Sequence, residues 1–183
     1  DKMQSILNDY DPDAMITGEG AMYRDLIETA AVDFNVTSYI SIAAIFLIIA
    51  VVFRSLTVPA VLVATIELAI FLNQGCSYFT GAQIPFIAPT IISCVQLGAT
   101  VDYAILMTSR FQEELRSGKT AKEAIAIAAD ASDASIITSA LVLFCATLGV
   151  SFVSSIDLIG AICIMLSRGA CISALVSIFL MPA

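Results

Sequence analysis

The chain has 183 residues, 59% hydrophobic and 13% charged, with a mean hydropathy of +0.95. A soluble domain is about 25% charged, so a soluble globular body is excluded. Eight of the sixteen acids fall in residues 1–33 and four of the eight bases in 110–133. The net charge of −8 therefore describes an acidic extramembrane segment joined to a membrane body, not a nucleic-acid partner.

Residues 1–33 read as the end of an extracytoplasmic α+β domain. Asp9-Tyr10-Asp11-Pro12-Asp13 has turn composition, and Ala14–Thr17 suits a short strand ended by Gly18-Glu19-Gly20. Met22, Leu26, Ile27 and Ala30 then recur at helical spacing, which predicts a helix leading to the bilayer. This is too little material for an independent core. The chain also stops at Met181-Pro182-Ala183 directly after an apolar run, so it reads as a piece of a longer protein. No signal peptide is visible in the polar first thirty residues.

The remainder, 34–183, reads as an all-α membrane domain of five spans. Phe34–Phe53 carries no charge over a length that fits one bilayer crossing. After Arg54 and a turn with Pro59, the second span covers 59–78, with Glu67 inside it and a polar end, Asn73-Gln74-Gly75-Cys76-Ser77, expected to fray. Residues 79–85 form an uncharged loop, and the third span covers 86–109. Segment 110–134 is charged and is expected to be a cytoplasmic amphipathic stretch. Its Thr120-Ala121-Lys122-Glu123 has the form of a capping box, so a helix is expected to start there, its Ala124, Ile125, Ala128 and Ala129 face lying along the membrane or against the bundle. Spans at 135–153 and 158–180 close the chain. Arg54, Arg110, Arg116, Lys119 and Lys122 fall on one side of the membrane, which makes that side cytoplasmic.

Five cysteines are present with no Cys-x-x-Cys pair and no His. A zinc site would need an unusual ligand set, so no metal is assigned and the cysteines are expected to be small buried residues. Gly118-Lys119-Thr120 resembles the end of a phosphate-binding loop, but Glu113 stands where the first glycine belongs and no strand precedes it. No ATP site and no other cofactor is assigned.

The functional candidates are the intramembrane charges. At 1.5 Å per residue, Asp102 lies about 12 Å, Glu67 about 15 Å and Arg168 about 19 Å above the cytoplasmic face. A carboxylate at such depth costs ~2.5–3.5 kcal/mol and is a functional candidate by default. The arginine stabilises one carboxylate, and the other loads and releases a proton. The plainer alternatives stay open: Arg168 as a static tie, Glu67 bonded to water or backbone, Tyr103 as a packing aromatic. Gly98, Ala99 and Gly169 suit close helix approach.

The run Val95–Leu106, with Asp102-Tyr103 at its centre, resembles the fourth helix of a repeat in MMPL-type transporters of the resistance–nodulation–division superfamily. The resemblance extends through Thr108-Ser109-Arg110, Glu113-Glu114-Leu115, Thr17-Gly18-Glu19, Ile66–Ile70 and Arg168-Gly169-Ala170 to Phe179–Ala183. It implies helices two to six of one repeat, closer to the second, in a bacterial plasma membrane. It also implies proton-driven export of lipids or other hydrophobic molecules, with Asp102 and Tyr103 as the proton relay. The implied partners are membrane lipids and the other repeat of the same protein. A sterol- or lipid-sensing domain and a protein-translocation accessory of the same superfamily are the alternatives.

Overall fold

A computed structural model describes residues 18–80 and 84–182, together with Ile6, Asp9 and Asp11. Among the described residues five long α-helices follow one another: α1 Glu19–Phe53, α2 Thr57–Thr80, α3 Ala88–Arg116, α4 Ala121–Val153 and α5 Asp157–Leu180. All five are long and apolar enough to cross a membrane. The chain is an all-α membrane helix bundle. The strand and turn expected at 9–17 lie outside the described residues, apart from the single positions Asp9 and Asp11.

The helix starts follow from local chemistry. Pro59 sits in the first turn of α2 and Pro89 in that of α3, where the missing N–H has no helical partner to lose. Thr120 caps α4 through a complete capping box: its hydroxyl accepts from the Glu123 amide, and the Glu123 carboxylate accepts from the Thr120 amide. Arg54 closes α1 in the left-handed region, at φ 49°, a conformation that costs a non-glycine residue about 1–2 kcal/mol. Gly118, at φ 90°, ends α3 without that penalty.

Three sequence expectations change. Segment 110–134 is not a separate element, because α3 runs on to Arg116 and α4 is one helix from Ala121. Ala124, Ala128, Ser132, Ile136 and Ala140 form one buried stripe along α4, so the helix lies against the bundle from its first turn. The polar end of α2 does not fray, since the helix continues to Thr80. Cys94, Cys145 and Cys171 are exposed rather than buried, and Cys76 and Cys163 are half-buried. An outward-facing thiol on an apolar helix meets lipid, which suits it as well as a core does.

α3 is the central helix and packs on all four others. Around it α1 touches α2, α2 touches α5, and α5 touches α4, while α1 and α4 do not meet among the described residues. The ring around α3 is therefore open in one sector, between α1 and α4. One core joins Ile49 of α1 and Leu62, Val63, Ile66 and Ile70 of α2 to Leu97 and Ala104 of α3. A second joins Tyr103 and Met107 of α3 to Ile136 and Ala140 of α4 and Ala174 of α5. With 35 residues, α1 is about 52 Å long. It carries the acidic stretch around Asp25 and Asp33 continuously into the bundle.

Candidate functional site

Asp102 lies in the open sector. Successive residues of a helix are about 100° apart. Val95, Gly98, Asp102 and Ser109, all exposed, therefore fall within about 60° of one another on α3. Val101 and Ile105, on one side of this stripe, pack towards α1 and α2. Tyr103, on the other, is 6% exposed and packs against α4 and α5. Adjacent positions thus do different things. The Asp102 carboxylate looks out between α1 and α4, and the Tyr103 ring is sealed in the interior. Nothing lies within 4 Å of where a Cβ on Gly98 would be, so no helix among the described residues approaches there. Ala99 is half-buried at the border of the stripe.

Glu67 is half-buried on α2 and lines a groove of about 370 Å³ between α1, α2 and α3, with Ser38, Gln74 and Ser93 among the polar walls. Gln74 donates to Ser93 Oγ at 2.8 Å, tying α2 to α3 at its edge.

Arg168 does not join Glu67 or Asp102. Its Nε donates to Asn73 Oδ1 at 2.9 Å, and one terminal nitrogen donates to the Asn73 carbonyl at 2.8 Å and to Ser77 Oγ at 2.5 Å. No ion pair to Arg168 occurs among the described residues. The cause is side-chain direction. Helical side chains lean towards their own N-terminus, and the N-terminus of α5 lies at the same end of the bundle as Ser77 and Thr80. The guanidinium reaches away from the Asp102 level, to the polar end of α2.

Asn73 is the hub of this arrangement and is 1% exposed. Its Nδ2 donates to Gln96 Oε1 of α3 at 2.8 Å and to the Met165 carbonyl of α5 at 3.2 Å. Gln96, 3% exposed, donates from Nε2 to Ser173 Oγ of α5 at 2.9 Å. The Gln96 carbonyl accepts from Thr100 Oγ1 at 2.6 Å. Three helices are thus joined by side-chain amides in an apolar interior, where an unmade hydrogen bond is costly. Gly169 makes the joint possible. A Cβ there would lie 2.6 Å from Asn73 Nδ2 and 2.9 Å from Gln96 Oε1. Sequence reasoning missed Asn73, Gln96, Ser77 and Ser173 as a group. Amide side chains inside apolar runs were the available signal.

The five crossing helices and the central acid of α3 set the terms for comparison with known proteins. The model of the MMPL family matches residues 3–183. The chain belongs to the MMPL family. It is 26% identical over 174 residues to the probable transport protein MmpL4 of Mycobacterium leprae, covering 92% of this chain and 18% of that protein. It is 26% identical to the probable transport protein MmpL6 of Mycobacterium tuberculosis, covering 88% of this chain and 41% of that protein. It is 25% identical to the siderophore exporter MmpL5 of Mycobacterium tuberculosis, over 72% of this chain and 14% of that protein. The chain thus spans well under half the length of these relatives. No solved structure matches it.

Proposed function

We propose that this MMPL chain is the membrane part of one repeat of a proton-driven exporter of lipids or other hydrophobic molecules, in a bacterial plasma membrane. Asp102 takes up and releases the proton, with Tyr103 beside it. One observation carries this reading: the only acid between Phe86 and Ser109 lies in the exposed stripe of the central helix, facing the one open sector of the bundle. Facing lipid there, the carboxylate would cost ~2.5–3.5 kcal/mol. The other repeat of the full-length protein is the occupant we assign to that sector. Named transport proteins among the relatives, including an exporter, support the reading.

The mechanism follows from which helices touch α3. Protonation neutralises Asp102 and removes its demand for polar neighbours, and deprotonation restores it. The change in packing is felt first by α1, whose Ile42, Ile45, Phe46 and Ile49 lie on the core that includes Leu97, Val101 and Ala104. Because α1 is continuous from Glu19 to Phe53, a shift at Val101 is delivered to the acidic outer stretch as a rigid rotation or translation. α2 and α5 follow α3 as one body, held by Asn73, Gln96 and Arg168.

The test is to collapse the proton gradient across cells or vesicles carrying the full-length protein while ATP is maintained. Export stops on this account. Export that continues at an unchanged rate overturns it.

A further inference from the structure

The core formed by Tyr103, Met107, Ile136, Ala140 and Ala174 contains polar atoms that it does not satisfy. Ser132 and Ser177 are both fully buried, and neither hydroxyl has a hydrogen-bond partner. Asp133 Oδ1 is also buried without one. These residues belong to a single place. Ser132 and Asp133 lie between Ala129 and Ile136 on α4, and Ser177 lies between Ala174 and Ile178 on α5, all four neighbours being members or borders of that core. At 1.5 Å per residue from the α3–α4 turn, Asp133 sits about 18 Å along α4 and Asp102 about 21 Å along α3. Asp133, half-buried, therefore lies close to the level of Asp102 and slightly nearer the base-rich end. Charge position alone places it in the cytoplasmic amphipathic stretch 110–134.

Three unpartnered polar atoms in an apolar core are the mark of a hydrated site, because buried water typically makes about three hydrogen bonds to such groups. A cavity lies beyond this core, towards the base-rich end. A cavity of about 410 Å³ at the base-rich end is lined by Met107 and Phe111 of α3, Lys122 and Ile125 of α4, and Met181 after α5. Met107 is common to that cavity and to the core holding Tyr103. The series from Tyr103 through Asp133 to the cavity descends from the Asp102 level to the end of the bundle.

We propose that Ser132, Asp133 and Ser177 hold water on the route by which protons leave for the cytoplasm, with Asp133 as the acceptor. This rests on the assignment of Asp102 as the proton-loading group. The proton leaves the Asp102 carboxyl, passes through water to the Asp133 carboxylate, and leaves Asp133 for water in the cavity. Both carboxylates are regenerated and one proton has moved. The charged or titratable groups near Asp133 are few. α3 presents Tyr103, with Asp102 turned to the open sector, and α4 itself adds exposed Asp130 and, at the cavity, Lys122. On α5 from Arg168 onward, Arg168 is engaged with Asn73 and Cys171 is exposed.

The experiment measures proton entry into proteoliposomes containing the full-length protein under an imposed gradient, with the pH of the cytoplasmic side varied. Asp133→Asn should slow proton entry about 100-fold, the low end for loss of a positioned acid–base group, and change its dependence on cytoplasmic-side pH. Asp133→Glu should restore most of the rate. Ser177→Val, which replaces the hydroxyl by methyls and excludes water, should also slow entry with Asp133 intact. If Asp133→Asn does not fold, Ser177→Val decides. Wild-type flux and pH dependence in the folded variants would overturn the proposal. Asp102→Asn separates the two readings: if it retains flux, the assignment of Asp102 falls; if it alone abolishes flux, only the exit route falls.

Discussion

Gly169→Ala tests the joint between α2, α3 and α5 by a single methyl group. The new Cβ would stand 2.6 Å from Asn73 Nδ2 and 2.9 Å from Gln96 Oε1, both closer than any ordinary carbon contact. Neither amide is free to swing away, because Asn73 also holds Arg168 and Met165, and Gln96 also holds Ser173. Relief must come from separating α5 from α2 and α3 or from breaking the Asn73–Gln96 bond. Overpacking of this kind costs about 1–3 kcal/mol, and an interhelical hydrogen bond in a membrane contributes ~0.6 kcal/mol on average. Together they predict a loss of about 1.6–3.6 kcal/mol in the stability of the full-length protein, measured by reversible unfolding in mixed micelles. Asn73→Ala alone should also destabilise, by about 1–3 kcal/mol, since it leaves Arg168 Nε and Gln96 Oε1 without partners. The decisive measurement is the pair together. Asn73→Ala vacates the space that the methyl needs, so the second substitution should cost at least ~1 kcal/mol less in that background. Strictly additive losses, or no loss for Gly169→Ala alone, would refute the geometry of the joint.

Other consequences are smaller or more local. Arg168→Lys keeps the charge but loses the planar fork that spans Asn73 and Ser77, and should lower stability by about 1–3 kcal/mol in the same assay. Thr120→Ala removes the capping hydroxyl of α4, which should cost about 1 kcal/mol and speed amide exchange at Glu123. The Thr120 hydroxyl, and after it the Thr120 amide, hold the Glu123 carboxyl below its ordinary 4.5. Its contribution is therefore complete above that value and is lost as pH falls through the lower folded value. Exchange at the start of α4 should accelerate only in that acid window, and Thr120→Ala, which keeps the backbone amide but loses the hydroxyl, should shrink the pH step.

Much of the architecture was legible because bilayer thickness sets a length that uncharged runs must match. That helices run through Phe34–Phe53 and Leu158–Leu180 needed little more than counting, and the capping box placed the start of α4. Charge as a boundary marker misled in the middle of the chain. α3 and α4 carry their charged turns as helix extensions, so 110–134 is two helix ends and Asp133 belongs to the bundle. Depth counting also failed for Arg168, since it measures where the backbone is and the guanidinium is several ångströms away along the helix axis. Asn73 read as a frayed end because an amide in an apolar run has no meaning until its partners on two other helices are known. The direction of Asp102 was equally hidden, because exposure on α3 depends on the order of helices around it.

The most direct test of the central claim is proton entry into proteoliposomes of the full-length protein, compared between wild type and Asp102→Asn under the same inward proton gradient. The account predicts flux in the wild type and none above the lipid background in Asp102→Asn, with the variant folded and correctly inserted. Equal flux in the two proteins would contradict it.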